Sequence, residues 1–326
     1  MRNVVVITTG GTIASASDAD GAKVVSTSGT ALLDSLPTTR GTDVRVVDLM
    51  KVNSYTLDFA HMDVINEAVT NALADSSTSG VVVTHGTDTL EESAMLVDLF
   101  HQDSRPVVFT GAQLGFDDPA TDGPRNLADA IAVAASSTAH DLGVLVCFAG
   151  VLHAARGARK IHTTAPSAFF DADHGPVGFV DDDGNVGVHT RLDREGTGLD
   201  APAPIADVRV DIVALYPGVD AAAIEANLGR GARGIVLQAT GSGNSNAEIV
   251  EAVRACTQDG VHVVLSSRVP GGVIEAPPLR PEPDAEADAL EALGLTQPIG
   301  VVGRSDASQS RSADDSVDTG RVGGVS

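Results

Sequence analysis

Lysine is almost missing from this sequence: among 326 residues only Lys23, Lys51 and Lys160 occur. Basic residues number 21 in all against 44 acidic ones, a formal charge of −23. A surface of that sign repels phosphate backbones and anionic bilayers, so nucleic acid and membrane drop out as partners. Tryptophan is absent, and Tyr55 and Tyr216 are the only tyrosines. Cysteine is confined to Cys147 and Cys256, both inside apolar stretches, which excludes a disulfide framework and reads as two buried free thiols. No apolar run approaches the ~18 residues of a membrane helix. The opening "MRNVVV" enters a strand at once, without the charged and apolar regions of a signal peptide, so the expected location is cytoplasmic.

Short aliphatic runs are plentiful. "NVVVITTGGT", "GVVVTHGTDT", "PVVFTGAQ", "GVLVCFAGV", "DIVALYPG", "GIVLQATGSGN" and "VVLSSRVPGG" each pass from apolar, mostly β-branched residues into a turn containing glycine. Continuous runs without alternation are the pattern of parallel strands covered on both faces. Helical patterns lie between them. "TLEESAMLVDLFH" at 89–101 spaces its apolar residues for one face and offers a Thr89-x-x-Glu92 capping box. "DGPRNLADAIAVAAS" sets Pro124 in a first turn after Asp122 as cap, and "NAEIVEAVRACTQDG" closes at Gly260. The alternation predicts an α/β fold: a doubly wound, mostly parallel sheet with a second, smaller α/β domain.

Residues 177–190 read as a hairpin around Asp183-Gly184, followed by a polar, proline-bearing stretch without periodicity. The expected division is a catalytic domain over 1–190 with a lid segment at 13–30, a linker over 191–207 and a smaller domain over 208–302. "PEPDAEADALEALG" suggests one acidic helix. From Gly303 to 326 the aliphatics larger than alanine are Val317, Val322 and Val325, the composition of a disordered tail.

Ligands of open parallel sheets bind beyond the carboxyl ends of the strands. Those ends carry Thr9 and Thr12, then Thr84, His85, Thr87 and Asp88, then Thr110 and Gln113, and later Thr240, Asn244, Ser266 and Ser267. Nucleotide loops of the G-x-x-x-x-G-K-[ST] or G-x-G-x-x-G type are absent, as is the G-x-S-x-G elbow of a serine hydrolase. The nine histidines are dispersed, and His153 and His162 read as structural or solvent-facing, so neither metal nor cofactor is expected. A threonine nucleophile remains, which needs a proton path and donors for an oxyanion. Lys160, in "ARGARKIHTT", lies beyond a strand end, and a desolvated lysine near hydroxyls can lose its proton. Asp88 would orient it or bind a substrate ammonium. The plain reading stays open beside this: Asp88 caps the helix starting at Thr89, and Lys160 is a surface cation.

"TTGGTIA" near the start and "VVVTHGTDTLEES" some seventy residues later together resemble the two signatures of bacterial-type L-asparaginases and glutaminases. "NSYTL", "FTGAQ" with "DGPRNLADA", "RGARKIHTTAPSAF", "GSGNSN" and "SSRVPGG" agree, so the resemblance spans about residues 1–273. It implies that Thr12 is the nucleophile forming a β-aspartyl ester, with Thr87, Asp88 and Lys160 handling protons. It further implies that Ser54 holds the α-carboxylate and Asp88 the α-ammonium. Backbone groups near Thr12, Thr87 and Ala112 would polarise the amide, and Asn246 would reach a neighbouring subunit's pocket in a homo-oligomer, usually a tetramer. The implied activity is hydrolysis of L-asparagine to L-aspartate and ammonia. The alternatives are L-glutaminase or mixed activity, the ammonia-producing subunit of a tRNA-dependent amidotransferase, which carries an extra N-terminal domain, and a non-catalytic amino-acid-binding homologue. Three departures stand out. Residues 13–53 lack the family's lid tyrosine, leaving Ser15 or Ser17 to bind water there; Glu275 is out of register with a family glutamate; and the C-terminal N-P-x-K-A-R-like segment is missing.

The acid excess has a measurable consequence. Counter-ion screening relieves self-repulsion, so the thermal midpoint is expected to climb steeply between low and molar salt. A midpoint indifferent to salt would show that the excess of carboxylates does not govern stability.

Overall fold

The computed structural model describes residues 2–18, 20–36, 41–194, 199 and 204–274. The acidic segment of 281–294, the tail from 303 and Glu275 lie outside the described residues. Among those described, no helix is long and apolar enough to cross a membrane.

The chain opens with β1 (Arg2–Gly10), a small hairpin of β2 (Ser15–Ser17) and β3 (Lys23–Val25), α1 (Gly29–Asp34) and β4 (Thr42–Val52). Then come α2 (Phe59–Ala74), β5 (Thr78–Thr84), α3 (Leu90–Phe100), β6 (Val107–Thr110), α4 (Gly123–Ala134), β7 (Val144–Phe148) and β8 (Val151–Ala154). Two short antiparallel pairs follow, β9 (Arg159–Lys160) with β10 (Phe169–Phe170) and β11 (Gly178–Val180) with β12 (Val186–Val188). The large sheet has the order β12-β11-β8-β7-β6-β5-β1-β4. It is parallel from β4 to β7 and antiparallel beyond.

Alternate residues of the central strands feed two separate cores, as the two-residue period of a strand requires. Val4, Val6, Val82, Val108 and Leu145 pack under α4 and α1, whereas Val5, Ile7, Val83, Phe109 and Val146 pack under α2 and α3. Helices on both faces explain why these runs are apolar throughout: Val4 to Ile7 are at most 2% exposed. β4 is the edge strand and alternates instead, with Asp43, Arg45 and Lys51 pointing to water, a guard against edge-to-edge pairing.

A second sheet, β13 (Val210–Ala214), β14 (Gly234–Ala239) and β15 (His262–Ser267), is wholly parallel, with α5 (Ala222–Gly229) and α6 (Ala247–Gln258) as crossovers. Those helices cover one face, burying Val213, Leu237, Ile249 and Val253. On the other face Ile212, Val236 and Val264 stand in register, and Ile212 and Val264 are 66% and 52% exposed. The expected architecture of a larger, mostly parallel α/β sheet with a smaller α/β domain is what forms.

Local expectations fare unevenly. Gly184 turns the β11–β12 hairpin with φ 77°, and Gly260 follows α6 with φ 75°. The capping box at Thr89 does not form: the Thr89 hydroxyl donates to Ser54 O at 2.8 Å and makes no cap hydrogen bond. Asp122 occupies the N-cap position of α4 but leaves that helix uncapped, its carboxylate serving a neighbouring loop. The lid segment is partly core, since Ile13, Ala14 and Ser15 are buried and α1 begins at Gly29.

Buried charge ties the elements together. Asp98, 1% exposed, accepts from Val144 N (3.0 Å) and Arg156 Nε (2.9 Å) and also pairs with Arg194, joining α3, β7 and the chain beyond β12. Removing both guanidinium groups would leave the Asp98 charge stranded in the core. His85 is wholly buried after β5, with Nδ1 2.7 Å from Gly86 O and Nε2 2.9 Å from Ser93 Oγ. One tautomer satisfies both: Nδ1–H donates to the carbonyl, and Nε2 accepts from the serine.

Burial pushes the His85 imidazole down to about 4 from its ordinary 6.5. Between those values the unfolded chain binds a proton that the folded chain refuses, so stability falls as pH drops from 6.5 towards 4. The contribution amounts to about 3 kcal/mol. Denaturant titrations at pH 7, 5.5 and 4.5 should show this decline, and the His85 ring resonances should not titrate above pH 5. A ring that titrates near 6.5 would contradict the buried neutral assignment.

Candidate active site

The site begins where β1 runs out. Gly10 and Gly11 have φ of 110° and 76°, a region that side chains disfavour, and a Cβ on Gly11 would fall 2.4 Å from the backbone of Gly86. The turn after β1 and the turn after β5 are therefore in backbone contact, one residue before Thr12 and Thr87 respectively. A third segment closes on them, since a Cβ on Gly86 would fall 2.5 Å from Ser54 Oγ. Beyond Gly11 the chain makes a 3-10 turn, Thr12–Ala14, with Thr12 half-buried.

Most strand-end hydroxyls are spent on the scaffold. Thr9 donates to Thr84 O at 2.9 Å, locking β1 to β5, and Thr110 donates to Cys147 O at 2.8 Å. Thr84, His85 and Thr110 stand at strand ends as expected but are wholly buried, so they do not face a pocket. Ser15 Oγ donates to Gly11 O at 2.8 Å, so this lid hydroxyl is committed to the backbone and not free to hold water beside Thr12. Ser17 is exposed. In the smaller domain Thr240 Oγ1 and Ser267 Oγ likewise bond to turn carbonyls.

Thr87 and Asp88 are met by Lys160, some seventy residues further along the chain. Its Nζ donates to Thr87 Oγ1 and to Asp88 Oδ1, both at 2.7 Å. The Lys160 side chain is only 16% exposed, so the reading of a free surface cation does not hold; Asp88 is 53% exposed and points its carboxylate at the lysine instead of capping α3. Thr87 Oγ1 also lies 3.5 Å from Gln113 Oε1. Ser54, 4% exposed, accepts from Asp88 N at 3.2 Å through its hydroxyl, which makes it part of the same cluster.

The loop after β6 closes the remaining side. Gly111 approaches His85 O so closely that a Cβ would sit 2.3 Å from it, and Ala112 beyond is 1% exposed. Asp122 accepts from Gln113 N and Leu114 N at 3.0 Å, and Asn126 Nδ2 donates to Gly111 O at 3.0 Å. A trans peptide sends its C=O opposite to its N–H, so holding Gln113 N–H turns the Ala112 carbonyl away from Asp122. Asp122 and Asn126 are the shaping residues that the sequence reading assigned only to a helix start. Their side chains reach backward to the loop, a placement no periodicity reports.

Above the site the β2–β3 hairpin is pinned to the loop after β6: Lys23 Nζ lies 2.6 Å from Asp117 Oδ1, and Ser17 N donates to Asp117 Oδ2. The lysine bond holds the Asp117 carboxyl well below the usual carboxylate range. Tyr55 stands 69% exposed next to Ser54. Asn246 caps α6, bonding to Ile249 N and Val219 O inside the smaller domain. His162 is exposed and receives Thr164 N and Ala165 N, while His153 is buried edge-on to Phe170. Among the described residues no group of three His, Cys, Asp or Glu side chains is arranged to hold a metal ion.

The N-terminal asparaginase family model matches residues 3–194, and the glutaminase/asparaginase C-terminal domain model matches 209–297. An L-asparaginase of Bacillus licheniformis is 32% identical over 276 residues, 84% of either chain. A probable periplasmic L-asparaginase of Haemophilus influenzae is 31% identical, covering 83% of this chain and 79% of that one. The crystal structure of a probable cytoplasmic L-asparaginase from Campylobacter jejuni superposes with a TM-score of 0.76 at 27% identity, covering 91% of this chain and 96% of that chain.

The backbone contact at the centre can be tested directly. Gly11→Ala adds a methyl group into Gly86 and forces φ 76° on an alanine, and should destabilise the fold by about 3 kcal/mol in denaturant titrations. A variant as stable as the parent would mean that the two turns are not pressed together.

Proposed function

The chain belongs to the asparaginase family, and from that premise we propose that it hydrolyses L-asparagine to L-aspartate and ammonia through a threonine acyl-enzyme. The observation that carries the reading is the Lys160 ammonium, set 2.7 Å from both the Thr87 hydroxyl and the Asp88 carboxylate beside the Thr12 turn. Thr12 Oγ1 attacks the side-chain amide carbon. The tetrahedral oxyanion collapses as ammonia leaves with a proton, forming a β-aspartyl ester. Water, steered by Thr87 and Lys160, then attacks that ester, and the aspartate departs as Thr12 regains its proton. The Lys160 ammonium can give a proton through Thr87 to the leaving nitrogen and, as it becomes neutral, take up the proton that Thr12 loses.

Ser54 and Asp88 grip the two ends of the amino acid, the hydroxyl facing the α-carboxylate and the half-exposed carboxylate facing the α-ammonium. Fixing both ends leaves the amide one approach to the threonines, and orientation of this kind lowers a barrier by several kcal/mol. The Ala112 carbonyl, turned away from Asp122, is available to the amide N–H. In the wider reading the protein is a cytoplasmic homotetramer, and Asn246 would have to give up its Val219 and Ile249 bonds within the smaller domain to reach a neighbour's pocket. The exposed Ile212 and Val264 and the buried free Cys147 and Cys256 support an associating protein of a reducing compartment.

Ammonia release from L-Asn, L-Gln and D-Asn, by the parent protein and three variants, tests the reading. L-Asn is expected to be the best substrate. Thr12→Ala should lose at least about 10³-fold in kcat, and Thr87→Ala and Lys160→Met about 10²-fold or more, with KM changed far less. Activity surviving in Thr12→Ala would overturn the nucleophile. No release from any amide, with calorimetric binding of aspartate, would make the protein an amino-acid binder.

A further inference from the structure

Lys160 sits on β9, a two-residue strand that among the described residues pairs only with the equally short β10, through Lys160 opposite Phe169 and Arg159 opposite Phe170. This ribbon is not hydrogen-bonded into the large sheet, so the sheet's own ladder does not set where the lysine backbone stands. Ile161 N–H turns inward and donates to Ala168 O at 2.8 Å. Lys160 N–H turns the other way, out of the ribbon, where a strand edge offers an unpaired donor. There it meets Glu91 Oε2 at 2.6 Å. Glu91 lies in the first turn of α3, and its other oxygen faces Arg159 Nε at 3.6 Å. The side chain is 19% exposed, so this contact is sheltered from water.

We propose that Glu91 is a positioning residue for the reaction: it grips the Lys160 backbone so that the ammonium is delivered to Thr87 and Asp88. Thr87, Asp88 and Glu91 belong to one turn-and-helix unit, five residues long, and they hold the same lysine at both ends. The hydroxyl and carboxylate of the turn take the ammonium; the helix takes the amide hydrogen. The side chain is thereby held at both ends by one short segment, and its placement does not rest on the β9–β10 ribbon alone. A carboxylate accepting a backbone N–H makes a short, charge-assisted bond, about twice as strong as a neutral one. Displacement of a catalytic group by about 1 Å can cost 10²-fold in rate. The Arg159 contact is longer and lies on a side chain 52% exposed, so it contributes little.

The inference rests on the proposed hydrolysis, and geometry can be separated from charge by two substitutions. Glu91→Gln keeps an acceptor oxygen in place and loses the charge. Glu91→Asp keeps the charge and withdraws the oxygen from Lys160 N–H by one methylene. Glu91→Gln should retain kcat within about threefold, while Glu91→Asp should lose 10- to 100-fold in kcat with KM changed less than threefold. A stabilising ion pair with Arg159 gives the opposite order. Loss in Glu91→Gln, or full activity in Glu91→Asp, would overturn the proposal. Hydrogen exchange of peptides covering residues 159–161 reads the grip without any turnover: Lys160 N–H should stay protected in Glu91→Gln and exchange faster in Glu91→Asp. Equal protection in the two variants overturns the proposal whatever the enzyme hydrolyses. A fully active Lys160→Met also overturns the proposal, since no lysine then needs positioning, whereas a parent protein inactive on every amide would remove the reaction and leave the grip to be judged by exchange alone.

Discussion

Everything at the active end of this molecule depends on two turns being able to touch through their main chains. Gly11 approaches Gly86 so closely that it tolerates no Cβ, and a Cβ on Gly86 would in turn meet Ser54. Strand separation in a parallel sheet is set by hydrogen bonds at about 5 Å, so residues continuing two adjacent strands would ordinarily stand side by side with their side chains between them. Removing those side chains lets β1 and β5 continue past the sheet edge into contact, with Thr12 and Thr87 each the next residue along. Thr12 and Thr87 each follow directly on that contact because the glycines before them occupy almost no space.

Against that contact the rest of the site is a set of anchors from distant parts of the chain. Thr9 locks β1 to β5, the buried neutral His85 fixes the peptide at Gly86, and Asp122 with Asn126 shapes the loop carrying Ala112. Each is a polar group with a backbone partner, and each fixes the main chain beside a residue of the candidate site. The lysine comes last. Of the groups at the candidate site it is the one carried on a ribbon outside the sheet, and the only charge of its sign among Thr87, Asp88 and Ser54, in a protein that otherwise uses almost no lysine.

Much of the fold could be read directly. Seven apolar runs ending in glycine all became strands, and three helical patterns became α3, α4 and α6, because burial on two faces or on one stripe leaves a plain mark on composition. β4 escaped notice since an edge strand alternates like an exposed segment, and α2 because its capping box uses Asp58 and His61, not the usual serine and glutamate. Thr89 shows the limit of a local motif: its spacing fits a capping box, yet the hydroxyl takes a carbonyl 35 residues away. Asp122 erred in the same direction. Short polar side chains bond to whichever backbone group is nearest in space, and sequence distance does not report that.

Sequence alone determined the strand runs, the glycine turns, the acidic surface and the pair of signatures by which the family could be named. Those are properties of neighbours along the chain, and steric and hydrophobic rules act on them locally. Only the tertiary structure decided which of many strand-end hydroxyls remain free, because a threonine is spent or spared according to the carbonyl that folding brings within 3 Å. It alone decided that Lys160 is a sheltered partner of Thr87, not a surface cation, since that choice rests on contacts 72 and 73 residues apart.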